Sequence, residues 1–342
     1  YRLLVETVLF LAAIAVLAGA ISGLLTEFGV VALIDRLLTP LMKPLFGMPG
    51  AASIGGITTY MSDNPAILAL AADKNYRCYF KKYQVPALTN LGTGFGMGAI
   101  ITTFMMGLST ITGQNYLPAA LVGNLGAIIG AVISTRLMLR FTRRMYGTEE
   151  PAMDSCGAPL DRQYRVVRKG SVASRFLEAM LDGGKVGVQM GVDIVPGVLI
   201  ICTFVMLLTG GPGEGGAFTG AAFEGVGLLP RLGEALEFIL KPLFGLTSAQ
   251  GIAVPITALG SSGASLSIVS RLVKDNLASP HDVAVFTSMC MCFSGYLSTH
   301  VAMMNTLGFS HLTGKAILSH TVGGLVAGMC AHGMYSLLNL VM

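Results

Sequence analysis

The sequence predicts an all-α, polytopic membrane protein built as an inverted repeat, each unit ordered as span, interfacial helix, re-entrant hairpin, span, span. Three observations predict it. Of the 342 residues, 53% are hydrophobic and only 12% are charged, about half the charged share of an ordinary soluble domain. Several apolar runs are long enough to cross a bilayer. The chain also matches itself without gaps at an offset of 198 positions.

The same composition excludes other classes. A net charge of +4, with basic residues scattered between apolar runs, does not build a nucleic-acid groove. The 44 glycines suit transmembrane helices, which tolerate glycine better than soluble ones do. The six cysteines follow no disulfide-framework spacing, and no His or Cys pair completes a metal site around Cys290 and Cys292. Signatures of hydrolases and metalloproteases are missing, so the chain reads as no enzyme. It begins Tyr1-Arg2 without an initiator Met, which leaves room for an upstream segment.

Spans are expected at about 3–25, 85–110, 117–139, 188–209, 283–308 and 316–340. Two further stretches, 28–46 and 231–245, hold their polar residues on one helical arc: Asp35, Arg36, Thr39 and Lys43 in the first, Arg231, Glu234, Glu237 and Lys241 in the second. Such helices lie along a membrane surface. Each is followed by an apolar stretch broken near its middle, at Ser62-Asp63-Asn64-Pro65 and at Gly260-Ser261-Ser262-Gly263. Each half is too short to span, so each pair reads as a re-entrant hairpin whose tip must be satisfied by protein or a wet cavity. The spans after the hairpins are themselves broken, over Thr89–Gly98 and Ser294–His300.

The offset aligns Lys43-Pro44-Leu45-Phe46-Gly47 with Lys241-Pro242-Leu243-Phe244-Gly245 and pairs Thr59 with Thr257, Thr89 with Thr287, Gly126 with Gly324 and Gly130 with Gly328. Duplication explains this pattern. The units are 1–140 and 188–342, joined by a cytoplasmic linker at 141–187 with a short surface helix near 171–182. Three spans per unit is odd, so the second unit enters from the opposite face. Placing the linker inside puts 17 of the 22 Lys and Arg residues on the cytoplasmic side, as the positive-inside rule requires. The chain is expected in the inner membrane.

Inverted repeats with discontinuous helices are the usual construction of secondary transporters. The KPLFG surface helix, polar-tipped hairpin, broken span and closing span, occurring twice, resemble the nucleoside-recognition or Gate-domain membrane family, which includes spore maturation protein relatives. The order of elements is similar to the transport domain of concentrative nucleoside transporters. That resemblance implies carboxylate and amide groups on the hairpin tips that hold ribose and base. The first tip offers Asp63 and Asn64, whereas the second offers Ser261, Ser262 and Ser265 and no acid.

An ionisable group at membrane depth is costly and by default functional, which selects Asp63 as a substrate or cation contact, with helix capping as its structural alternative. Asn64, Thr58, Asn90, Tyr296, His300 and Asn305 join the expected substrate cavity, and His300 could carry a proton. Thr59, Thr89, Thr257, Thr287 and Ser288 are candidate oxygen ligands for a sodium ion, although a membrane Thr often bonds its own helix. Asp193 is a second coupling candidate, and His320 and His332 read as packing residues. The expected activity is sodium- or proton-coupled transport of a small polar solute, with a nucleoside or related metabolite first. A non-transporting scaffold of the spore-maturation type, a passive channel and a homo-oligomeric assembly are the remaining expectations.

Overall fold

Helices in apolar surroundings associate through close packing, so small residues decide which neighbours can approach. A computed structural model of the chain describes residues 9–72, 74–153, 167–197, 199–200, 203–213, 217–220 and 224–341. Among the described residues the regular elements are helical, apart from one isolated bridge between Lys81 and Pro151. The first half runs α1 (Leu9–Glu27), α2 (Val30–Leu41) with a π turn at Met42–Phe46, α3 (Ala52–Met61), α4 (Pro65–Ala72), α5 (Lys74–Arg77), α6 (Val85–Thr93), α7 (Gly98–Gly107), α8 (Ser109–Thr112) and α9 (Leu117–Tyr146). The second half runs α10 (Val172–Gly197), α11 (Thr203–Thr209), α12 (Leu228–Ala235), α13 (Glu237–Phe244), α14 (Ala253–Gly260), α15 (Ser262–Lys274), α16 (Pro280–Phe293), α17 (Tyr296–Thr306) and α18 (Thr313–Val341).

Among the described residues three helical stretches are long and apolar enough to cross a membrane: Lys82–Thr112, Leu117–Tyr146 and Ser310–Leu340. A fourth, Glu237–Phe244 with Ala249–Gly260, is bent by 78°. The chain is therefore an all-α, multi-pass membrane protein. These stretches cover the spans expected at 85–110, 117–139 and 316–340. The spans expected at 3–25 and 188–209 lie partly outside the described residues.

The self-matching glycines have a packing reason. A Cβ on Gly126 would stand 2.7 Å from the Ala327 carbonyl oxygen, and one on Gly130 2.5 Å from that of Gly323; α9 and α18 close on each other there. Their partners Gly324 and Gly328 admit Phe293 and Met289 of α16. The KPLFG motif is equally explicable. Phe46 and Phe244 are buried, and Gly47 and Gly245 end their helices with φ of 70° and 63°, a left-handed cap that glycine adopts at least cost.

Two expectations change. The surface helix expected at 171–182 does not stop there but runs on as α10. Gly183 does not break the helix: a Cβ there would meet the Gly19 carbonyl of α1 at 2.2 Å, and one on Gly23 of α1 would meet the Ala179 carbonyl of α10 at 2.3 Å. Both glycines are contact points between α1 and α10. The expected polar arc of α2 is also not all turned to water, because Ser53 of α3 donates to the Asp35 carboxylate and Thr39 donates to the Asp35 carbonyl. Cys78 is disulfide-bonded, which the cysteine spacing did not indicate, while Cys290, Cys292 and Cys330 are free.

The α1–α10 contact ends in a charge clamp. Glu27 receives Arg175 at 2.7 Å and Arg168 at 3.2 Å, and the Arg175 hydrogen bond, aided by both positive charges, holds its carboxyl below the usual range. A depressed carboxyl pKa stabilises the fold above the unfolded value of about 4.3, and the gain is lost as pH falls through the folded value. The melting temperature in detergent should therefore fall on acidification below about pH 4.3. Glu27→Gln should lower it at pH 7 and flatten that acid slope; an unchanged slope would show the clamp to be inert.

Candidate functional site

An interrupted helix leaves peptide groups without intrahelical partners. The principal interruption lies between α16 and α17, at Ser294 (φ 32°) and Gly295 (φ 66°). Both hairpins supply what it lacks. From the first tip, Asn64 Nδ2 donates to the Ser294 carbonyl at 2.6 Å and reaches Thr299 Oγ1 at 3.5 Å. From the second, the Ala258 carbonyl accepts the Gly295 amide at 2.8 Å, and Ser262 Oγ donates to the Cys290 carbonyl at 2.5 Å. The companion break between α6 and α7 falls at the equivalent register. Met97, 198 positions before Gly295, is also left-handed at φ 53°, and α7 and α17 begin at matching residues, Gly98 and Tyr296.

The two breaks and the first tip meet at Gly96. A Cβ there would lie 2.5 Å from Ser294 Oγ and 2.6 Å from Asn64 Oδ1, so both oxygens occupy the space that a side chain at this position would need. Both are buried without a hydrogen-bond partner in the protein, at a usual cost of about 1–3 kcal/mol each. Buried polar atoms are rarely left so. Asp63 is half-buried beside them, and its carboxylate accepts the Asn64 amide at 2.7 Å.

A second polar cluster lies against α18. His300 and His320 are fully buried with ring centroids 4.7 Å apart, and Tyr296 packs on both. The Tyr296 carbonyl can only accept, so His300 carries its proton on Nδ1 and its Nε2 is left without a partner. His320 likewise donates from Nε2 to the Cys292 carbonyl and accepts at Nδ1 from Ser134, 2.9 Å away. Thr93 stands 3.5 Å from the same nitrogen.

The structure brings some of the expected residues together and separates others. Asn64 and Ser262 meet at the α16–α17 break, and Asp63 is linked to it through the Asn64 backbone amide. Ser261 caps α15 by accepting from the Ala264 amide, and Ser265 bonds the Ser262 carbonyl and Cys290 Sγ. The Thr58 carbonyl accepts Ser62 in the first tip. Tyr296 bonds Thr321 at 2.6 Å. Asn90 is tied to Ser134 and to the Ala316 carbonyl, with its Oδ1 unpartnered. Thr59, Thr257, Thr287 and Ser288 donate to carbonyls of their own helices, and Thr89 to Met304 Sδ. Asn305 is exposed at the end of α17. Asp193 belongs to α10, but its side chain lies outside the described residues. Gly96, Ser294 and Thr299 are the participants that sequence reasoning missed. The signal for the first two was their equivalence at the 198 offset, since both breaks had been recognised.

No family model matches the chain. An uncharacterized protein of Alkalihalophilus pseudofirmus is 29% identical over 114 residues, 33% of this chain and 24% of that protein; the chain thus matches about a quarter of that relative's length. The fold has solved counterparts, and they are transporters. The chain is similar to the concentrative nucleoside transporter CNTnw in an inward-facing substrate-bound state, with TM-score 0.56, 14% identity, and 94% of this chain and 73% of that one covered. A CNTnw variant in an outward-facing state gives 0.57, 13%, 96% and 76%, and another in an intermediate state 0.57, 14%, 95% and 75%. At these identities the likeness defines a fold of the concentrative nucleoside transporter type.

The bare Cα of Gly96 is what lets the tip and the break face each other. Gly96→Ala should cost about 1–3 kcal/mol through overpacking and lower the melting temperature by several degrees. Gly333→Ala, with no atom within 4 Å of the added carbon, should be neutral or slightly stabilising. Equal effects of the two in a scanning melt would remove the special status of Gly96.

Proposed function

We propose that the protein is a secondary active transporter of a small polar solute, working by alternating access in the plasma membrane as a member of the nucleoside-recognition family. The observation that carries this reading is the meeting of both hairpin tips at one broken helix, beside two buried and unpartnered oxygens on Asn64 and Ser294. In this account the repeats are inverted, with 141–187 in the cytoplasm, the first hairpin entering from inside and the second from outside. Withdrawal of either hairpin then opens the pocket to its own side.

A solute rich in hydroxyl and amide groups would match the polar groups gathered here. Asn64 and Ser294 would offer acceptors and a donor, Asp63 would take a hydroxyl or a cation, and the serines of the second tip would add neutral hydrogen bonds. The amino end of α15 would point its dipole at an electronegative group. Nucleosides and related metabolites have that chemistry, and CNTnw, which shares the fold, is recorded in a substrate-bound state. Sodium or a proton would drive the cycle. The Thr59, Thr89, Thr257, Thr287 and Ser288 oxygens are offered for sodium, since a hydroxyl that donates keeps its lone pairs. Asp63, His300 and Asp193 are offered for a proton.

Uptake into proteoliposomes, measured for a panel of nucleosides, amino acids and small organic acids under sodium or proton gradients, tests the reading. Asp63→Ala should abolish uptake with membrane insertion intact; uptake at normal affinity would refute the assignment. In the same panel a true solute at a hundred times its Kd should stabilise the purified protein by about 2.7 kcal/mol.

A further inference from the structure

The last turns of α9 carry Arg136, Arg140, Arg143 and Arg144, all exposed and spaced as one helical stripe. With Leu139 they line a cleft of about 390 Å³ against Gly47, at the end of the KPLFG turn. Arg136 is anchored: its Nε donates to the Leu45 carbonyl at 2.5 Å and its Nη2 to that of Pro44. Arg143 rests on the Tyr83 ring, 5.2 Å from its centroid. Among the described residues none of the four arginines forms an ion pair. The nearby acids are engaged elsewhere, Glu150 with Lys82 and Glu149 with Thr148. Among the described residues the cleft is therefore a concentration of positive charge that no ion pair neutralises.

The fold does not demand this charge. At the 198 offset the positions of Arg136, Arg140 and Arg143 are Met334, Leu338 and Val341 on α18, which closes the second half without them. The lysines of the two KPLFG motifs differ in the same sense: Lys241 is paired with Glu237 at 3.3 Å, whereas Lys43 is exposed and in no ion pair among the described residues. A topogenic role would need positive charge on this side, but not four guanidinium groups along one cleft.

The surroundings identify the occupant. Leu45, whose carbonyl holds Arg136, is 40% exposed, and Leu41 and Leu37 continue an exposed apolar strip along α2. The stripe begins inside the span expected to end at 139, so it stands at the junction of hydrocarbon and headgroups. We propose that this cleft is a binding site for an anionic phospholipid. The arginines would grip the phosphodiester with paired N–H donors, and the leucines of α2 would carry the acyl chains. Free phosphate shares the headgroup chemistry but makes no use of the leucine strip.

Native mass spectrometry and thermal melting of the full chain in detergent test the site, with phosphatidylglycerol, phosphatidylcholine and inorganic phosphate as probes. Phosphatidylglycerol should be retained and should raise the melting temperature, and phosphatidylcholine should do neither. Replacing Arg140, Arg143 and Arg144 together by Gln should weaken phosphatidylglycerol binding by about fivefold per arginine, on the order of a hundredfold in all. The corresponding Lys variant, which keeps the charge but not the paired donors, should recover only part of the affinity. Should the triple Gln variant fail to fold, Arg144→Gln alone should show the fivefold loss. Equal retention of phosphatidylcholine, undiminished binding by a folded Gln variant, or the same stabilisation by inorganic phosphate would each overturn the assignment.

Discussion

The structure depends on how the break between α16 and α17 is satisfied. Peptide groups released from a helix need partners wherever water is excluded. Here the Ser294 carbonyl is met by Asn64 of the first hairpin and the Gly295 amide by Ala258 of the second. The hairpins act as caps for a helix that only the second of them directly precedes in the chain. Under the proposed cycle, moving a hairpin would uncover a carbonyl or an amide, and that exposed group would need water or a solute in exchange.

The two halves share a frame but not a chemistry. Their breaks coincide in register, their closing helices pack through paired glycines, and their surface helices end in the same pentapeptide. The differences fall where function would need them. Asp63 and Asn64 stand opposite Ser261 and Ser262 in the alignment, Gly96 opposite Ser294, and the arginine stripe of α9 opposite an apolar end of α18. The two halves match in register at the 198 offset and differ in residue chemistry at the centre and at one surface.

Much of this frame was legible before any coordinates. Broken hairpins announced themselves by Asp63-Asn64-Pro65 and by Gly260-Ser261, since polar and helix-starting residues inside apolar runs have few other readings. What stayed hidden depended on contacts between distant segments. Gly183 reads as a helix breaker until Gly19 is seen to touch it, and Ser294 reads as part of a polar tract until Asn64 and Gly96 are placed beside it. The threonines show the reverse limit: their position in the halves was predictable, but the hydroxyls of Thr59, Thr257 and Thr287 turn to their own helices and that of Thr89 to Met304. Asn305, chosen for polarity alone, faces outward because periodicity along so short a helix does not define an inner face.

The central claim is that the two halves enter the membrane from opposite sides, so that their broken helices converge. Labelling with a membrane-impermeant maleimide tests it directly, using Lys81→Cys beyond the first hairpin and Lys274→Cys at the end of the second, each in a Cys330→Ser background and read above the labelling of that background alone, since Cys290 and Cys292 are buried and Cys330 is not. The account predicts that the first reacts only from the cytoplasmic face and the second only from the outer face. Reaction of both from the same face would contradict it.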